Sequence, residues 1–135
     1  MASQRTVPAA GDILPTAVKL VTQEQLQRYA EASGDHNPLH LDPDFAAKTE
    51  FGGTIAHGML VLAFASEMLT AAFGRAWLES GRLKIRFRAP ARPGNRIVAS
   101  GRVLKVEGPY VTCEIECRNG EDEVLLSGEA GVNLS

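Results

Sequence analysis

A chain of 135 residues, 44% hydrophobic and 22% charged, has the size and composition of one folded domain and is too apolar to stay disordered. A net charge of −2 argues against any global attraction to nucleic acid or to an anionic membrane. The longest apolar run, around Met59 to Phe73, is interrupted by Ser66, Glu67 and Thr70, which makes it too short and too polar for a membrane span.

Residues 1–10 read as a flexible tail and residues 11–135 as a single domain. Met1 to Gly11 holds a single Arg and no apolar stretch, so no signal peptide is expected and a cytoplasmic location follows. Ile13 to Val21 mixes β-formers with Pro15 and reads as an edge strand. Thr22-Gln23-Glu24-Gln25 is a capping box, with Thr22 as N-cap and Gln25 reaching back. The helix that follows puts Leu26, Tyr29 and Ala30 on one stripe and stops at Gly34.

The stretch Gly34-Asp35-His36-Asn37-Pro38-Leu39-His40 comes next. It gathers a carboxylate, an amide and two imidazoles where Pro38 forbids a continuous helix. Two readings stand side by side. Asp35 and Asn37 can bond neighbouring backbone amides as a capped turn. Alternatively, a bent loop brings Asp35 and His40 together as an acid–base pair, with a shared water or substrate proton between them.

Asp42-Pro43 starts a second short helix, with Asp42 as N-cap and Pro43 at the first helical position. Gly52-Gly53 breaks the chain. Ile55 to Phe73 is apolar nearly all round, which marks a buried helix, and Gly74 closes it. The period then changes. Leu83, Ile85 and Phe87 alternate with Arg82, Lys84, Arg86 and Arg88 in a half-buried strand. Arg96 to Val106, Val111 to Cys117 and Val124 to Leu134 follow, separated by turns at Gly108-Pro109 and Asn119-Gly120. Cys113 and Cys117 fall on one face of a strand, about 13 Å apart, too far for a mutual disulfide; two small buried thiols fit a reducing compartment. No Cys/His spacing suggests a zinc site, and no metal is expected. The fold class is α+β: helices early, then an antiparallel meander of about four strands, with the buried helix against the sheet.

Tyr29-Ala30-Glu31-Ala32-Ser33-Gly34-Asp35-His36-Asn37-Pro38-Leu39-His40, then Leu41-Asp42-Pro43, the Ala46-Ala47 pair and Ala56-His57-Gly58-Met59 together resemble the (R)-specific enoyl-CoA hydratase family, also called MaoC-like dehydratases. The resemblance runs from about Gly11 to the C-terminus. It implies a hot-dog fold, in which a curved antiparallel sheet wraps a long central helix. It implies Asp35 and His40 as the catalytic pair, Asn37 as an amide ordering the water, the Gly58 backbone N–H as donor to the thioester carbonyl oxygen, and Ser66 as support from behind. It implies a homodimer or dimer of dimers acting on an acyl thioester of coenzyme A or acyl carrier protein, with no cofactor, no metal, no nucleic acid and no membrane. His36 falls at a variable position and takes no role.

Several residues keep two readings. Gly58 either donates to an oxyanion or permits tight helix packing. Ser66 can bond its own i−4 carbonyl. His57 is a ligand, a base or a satisfied core histidine. Glu67 faces solvent at a gap or pairs across a subunit boundary. Arg82, Lys84, Arg86 and Arg88, with Arg92 nearby, either meet coenzyme A phosphates or form a solvated strand face. Two rival functions follow. A hot-dog acyl-CoA thioesterase would use Glu67 to direct water at the carbonyl carbon. A non-catalytic acyl-thioester-binding subunit would bind without turnover.

Overall fold

The computed structural model describes residues 7–135. The expected tail lies largely in residues 1–6, outside the described residues. Near the start of the described chain, the Ala9 N–H donates to Asp12 Oδ2 (2.9 Å) and the Gly11 N–H to Val103 O (2.8 Å), so this turn is fastened to the sheet.

Strand β1 (Ala17–Leu20) leads into α1 (Gln23–Ser33). Thr22 caps that helix, its Oγ1 accepting from the Gln25 N–H at 3.1 Å. The other half of the expected capping box does not form: Gln25 Oε1 is buried and has no partner among the described residues. Gly34 ends α1 in the left-handed region (φ 81°), where a side chain would be strained. Two short helices follow, α2 (Pro38–Leu41) and α3 (Pro43–Ala47), each opening on a proline. Asp42 caps α3, accepting from the Asp44 and Phe45 amides.

Helix α4 (Gly58–Phe73) begins three residues later than its apolar run, because Ile55–His57 is extended and tied to a neighbouring loop: the Ala56 N–H donates to Ala91 O at 2.8 Å. Leu60, Val61, Phe64, Ala65, Met68 and Leu69 are buried along it. Each Leu or Met fully removed from water is worth about 1.5–3 kcal/mol, so this face dominates the core. A further helix, α5 (Arg75–Ser80), has no counterpart in the sequence reading; it packs Trp77 into the core.

Strands β2 (Arg82–Phe87), β3 (Arg96–Glu107), β4 (Tyr110–Arg118) and β5 (Val124–Asn133) complete one antiparallel sheet of five strands, ordered β1-β3-β4-β5-β2. The meander is therefore confined to β3-β4-β5. β1 joins β3 at one edge, and β2 pairs with β5 at the other, from Arg82↔Gly131 to Phe87↔Leu126. Helix α4 lies across β1, β3, β4 and β5, a sheet folded against one central helix. This is the hot-dog arrangement. Within the described residues no helix is long and apolar enough to cross a membrane.

Cys113 and Cys117 are both free and buried on β4. Burial pushes their thiols up to about 11 and about 12. At pH 8 their thiolate fractions are then about 10⁻³ and 10⁻⁴. Native protein should therefore resist a thiol-specific disulfide reagent at pH 8 and react with both cysteines in urea. Fast labelling of the folded chain would contradict this burial.

Candidate active site

Asp35 and His40 come together where the loop after α1 meets the start of α4. The two readings of this loop are both realised, one on each carboxylate oxygen. Asp35 Oδ1 accepts from the Asn37 N–H at 3.2 Å, as a turn residue does. Asp35 Oδ2 faces His40 Nε2 at 3.9 Å. That gap is too long for a direct hydrogen bond, and a water at about 2.8 Å from both atoms would bridge it.

Asn37 works through the backbone. Its Oδ1 accepts from the Leu39 N–H at 3.0 Å, capping α2, the turn that carries His40. The His40 ring is then aimed from its far side. Nδ1 donates to Ile55 O at 2.7 Å; a carbonyl only accepts, so in the neutral ring Nε2 carries the lone pair that faces Asp35. The His40 side chain is 12% exposed and that of Asp35 is 51%, so the pair opens to solvent on the carboxylate side.

Four residues that carried no assigned role hold this arrangement: Gln23, Thr54, His57 and Tyr29. Gln23, the first residue of α1, donates from Nε2 to His40 O (2.8 Å) and accepts from Thr54 Oγ1 (2.7 Å). His57 is 2% exposed and donates from Nε2 to Asp35 O at 3.1 Å. Its ring stacks on His40, with centroids 3.9 Å apart and planes at 25°, and leans on Tyr29 at 4.7 Å. Burial holds the His57 ring below its ordinary value of 6.5, and the neighbouring His40 adds to that, against the pull of the Asp35 carbonyl and carboxylate. His57 is therefore neutral at pH 7. Its Nδ1 is buried without a partner among the described residues.

Gly58 directly follows His57 and opens α4. The residue is exposed, and its N–H meets no protein acceptor among the described residues. Such a first-turn amide, at the positive end of the helix dipole, suits a developing oxyanion. The packing reading of Gly58 also holds: a Cβ there would lie 3.1 Å from the Phe87 ring.

Ser66 is not part of this cluster. It lies eight residues further along α4, about 12 Å along the axis. Its Oγ accepts from Trp77 Nε1 at 3.0 Å, so the hydroxyl anchors α5. Glu67 pairs with Lys19 of β1 at 2.7 Å, within the chain rather than across a boundary. His36 is exposed, and no hydrogen bond or ion pair is found for it among the described residues. Of the basic residues, Arg88 donates to Ser127 Oγ and Arg92 to Phe51 O, which leaves Arg82, Lys84 and Arg86 exposed on the edge strand.

One ligand atom each of Asp35, His40 and His57 lies within 4.8 Å of the others, a spacing that invites a metal. The donor set does not fit one. His40 Nδ1 and His57 Nε2 are both used on carbonyls, and lone pairs lying in the planes of two stacked rings do not converge on one point.

Comparison with known proteins agrees with this architecture. A family model described as MaoC like domain matches residues 8–124. The chain is 38% identical over 91 residues to the 3-hydroxyacyl-thioester dehydratase Z of Mycobacterium tuberculosis, a match covering 64% of this chain and 60% of that protein. It is 33% identical over 113 residues to the (R)-specific enoyl-CoA hydratase of Aeromonas caviae, covering 82% of this chain and 84% of the relative. The solved structure of an A. caviae (R)-hydratase involved in PHA biosynthesis superimposes with a TM-score of 0.82 at 27% identity, covering 98% of this chain and 100% of that one. Because the family model spans most of its length, this chain belongs to the MaoC-like dehydratase family.

Proposed function

We propose that the protein is an (R)-specific enoyl-CoA hydratase, or equally a 3-hydroxyacyl-thioester dehydratase, adding water reversibly to a trans-2-enoyl thioester. The observation that carries this reading is the 3.9 Å gap between His40 Nε2 and Asp35 Oδ2. The Gly58 amide, which follows the His57 stacked on His40, has no protein acceptor among the described residues. A water held in that gap attacks C3 of the enoyl group while the pair takes its proton. Charge moves through C2 to the thioester oxygen, where the Gly58 N–H meets it. One such donor is worth about 3–4 kcal/mol in the transition state. The pair then returns a proton to C2. Dehydration runs through the same groups in reverse. The chemistry needs neither a metal nor a redox cofactor. The named relatives support the reaction class and, in the A. caviae case, the (R) product.

The substrate in this reading is a thioester of coenzyme A or acyl carrier protein, and the working unit is a homodimer. Support for the dimer is the open edge of the sheet at β2, whose last residue, Phe87, is 53% exposed. The thioesterase rival loses its carboxylate, because Glu67 is engaged with Lys19 and lies more than two turns beyond Gly58.

Crotonyl-CoA should therefore lose its enoyl-thioester absorbance without release of free thiol. Glu67→Gln should leave that rate unchanged, since a half-exposed ion pair contributes at most about 1 kcal/mol to stability and nothing to this chemistry. Thiol release that disappears in Glu67→Gln would transfer the function to the thioesterase.

A further inference from the structure

We infer that His57 is the positioning residue of the site, a neutral imidazole that fixes the Asp35-to-His40 spacing by holding the Asp35 backbone and flooring the His40 ring. The inference rests on the proposed pair and adds to it a residue that touches neither water nor substrate. Three contacts carry it. The Nε2–H of His57 donates to Asp35 O at 3.1 Å, across 22 positions of sequence. The ring lies 3.9 Å from that of His40, nearly parallel. Tyr29, from α1, leans on the same ring at 4.7 Å. Apart from its contact with His40, Asp35 is otherwise held, among the described residues, only by local bonds, to Ser33 Oγ and Asn37 N, on an exposed loop. His57 is thus the long-range tie between that loop and the α4 terminus. It joins the carboxylate to the helix whose first amide is the oxyanion donor.

The groups that face His57 are His40 from α2, Asp35 and His36 from the loop, and Tyr29 from α1. A proton on His57 would put a cation against the imidazole that must accept one. It would also need a partner at Nδ1, which is buried and has none among the described residues. The site therefore works with His57 uncharged.

Two variants separate the contacts. His57→Phe keeps a ring under His40, removes the donor to Asp35 O, and replaces the unpaired Nδ1 with carbon. His57→Gln keeps a terminal N–H donor and loses the ring. A catalytic group misplaced by about 1 Å costs on the order of 10² in rate, so His57→Phe should lose about that much kcat. KM should stay within about twofold, because no substrate contact is removed. His57→Gln should recover most of the loss. Melting temperature and circular dichroism verify that each variant is folded. Wild-type kcat in folded His57→Phe, or equal losses in the two folded variants, would overturn the assignment to the Asp35 tie.

Nitrogen-15 NMR of the wild-type imidazoles keeps the inference testable if either variant fails to fold. His57 should be the neutral Nε2–H form at pH 7. A charged His57, or one protonated at Nδ1, would contradict the inference. A wild type that hydrates no enoyl thioester but shows this tautomer would remove the proposed reaction and leave the geometry of the tie intact.

Discussion

Asp35→Asn and His40→Gln should each lower kcat for crotonyl-CoA hydration by about 10²–10⁴, the range that positioned acid–base groups supply. That corresponds to about 2.7–5.4 kcal/mol of transition-state stabilisation. The loss belongs to the proton transfer and not to folding. Asp35 Oδ1 makes its turn bond to the Asn37 N–H, and the carbonyl oxygen of an asparagine can accept the same bond. His40 holds Ile55 O through Nδ1, a contact that Gln can only imitate, so a small stability loss is expected there. Both groups act on the same water across the 3.9 Å gap. The double variant should consequently be little slower than the worse single one, because residues that act as a unit are not additive. Nearly full activity in Asp35→Asn would show that the carboxylate is only a turn residue.

Gly58→Pro should cost about 10²–10³ in kcat, the value of one removed oxyanion donor. Backbone donors are hard to delete, but this position allows it. Gly58 is the first residue of α4, where proline is well tolerated because the amide has no intrahelical partner. The preceding residue, His57, sits at φ −60° and ψ 134°, the extended conformation that a following proline requires. The variant therefore removes the N–H while leaving the helix start in place. Steric pressure is the confounding effect, since a Cβ at this position lies 3.1–3.4 Å from three atoms of the Phe87 ring. Gly58→Ala is the control: it meets the same ring and keeps the N–H. Both variants ask the Phe87 ring to give by the same few tenths of an ångström, so the comparison cancels that cost. A large loss in the proline variant beside a small one in the alanine variant isolates the donor. Equal losses would assign the effect to the clash with Phe87.

The elements with local chemical signals were legible before any coordinates. Thr22 caps α1, Gly34 ends it at φ 81°, and Asp42-Pro43 opens α3, each through contacts within a few residues of sequence. The apolar run marked α4 as a helix, but its burial is on one face only: Leu60, Val61, Phe64, Ala65, Met68 and Leu69 are buried while Met59, Ala63, Glu67 and Ala71 are exposed, so the expectation of a helix buried all round is corrected. The alternation of β4 follows from burial of Val111, Cys113, Ile115 and Cys117 on one face, and that of β2 holds for Leu83 and Ile85 but not for the exposed Phe87. The Asp35–His40 pairing was readable because Pro38 bends the chain between the two.

What escaped the sequence was long-range. Gln23 reaches His40 O across 17 positions, and nothing in a glutamine at a helix start announces that contact. The burial of His57 and its stacking depend on the α4 terminus docking against the loop. A histidine immediately before Gly58, in a segment otherwise apolar, was the available signal. The family resemblance implied that Ser66 supports the site from behind, and only α5, which the sequence reading lacked, shows that its hydroxyl accepts from Trp77. The pairing of β2 with β5 rather than with β3 is likewise set by the packing of the whole sheet and not by either strand's own pattern.

The measurement that tests the central claim most directly is the fate of crotonyl-CoA with the wild-type protein, its product passed to (R)- and (S)-specific 3-hydroxyacyl-CoA dehydrogenases. The account predicts rapid loss of enoyl absorbance, a product oxidised by the (R)-specific enzyme alone, and no free thiol. Absence of hydration on crotonyl-CoA and on a longer enoyl-CoA alike, or a product accepted by the (S)-specific enzyme, would contradict it.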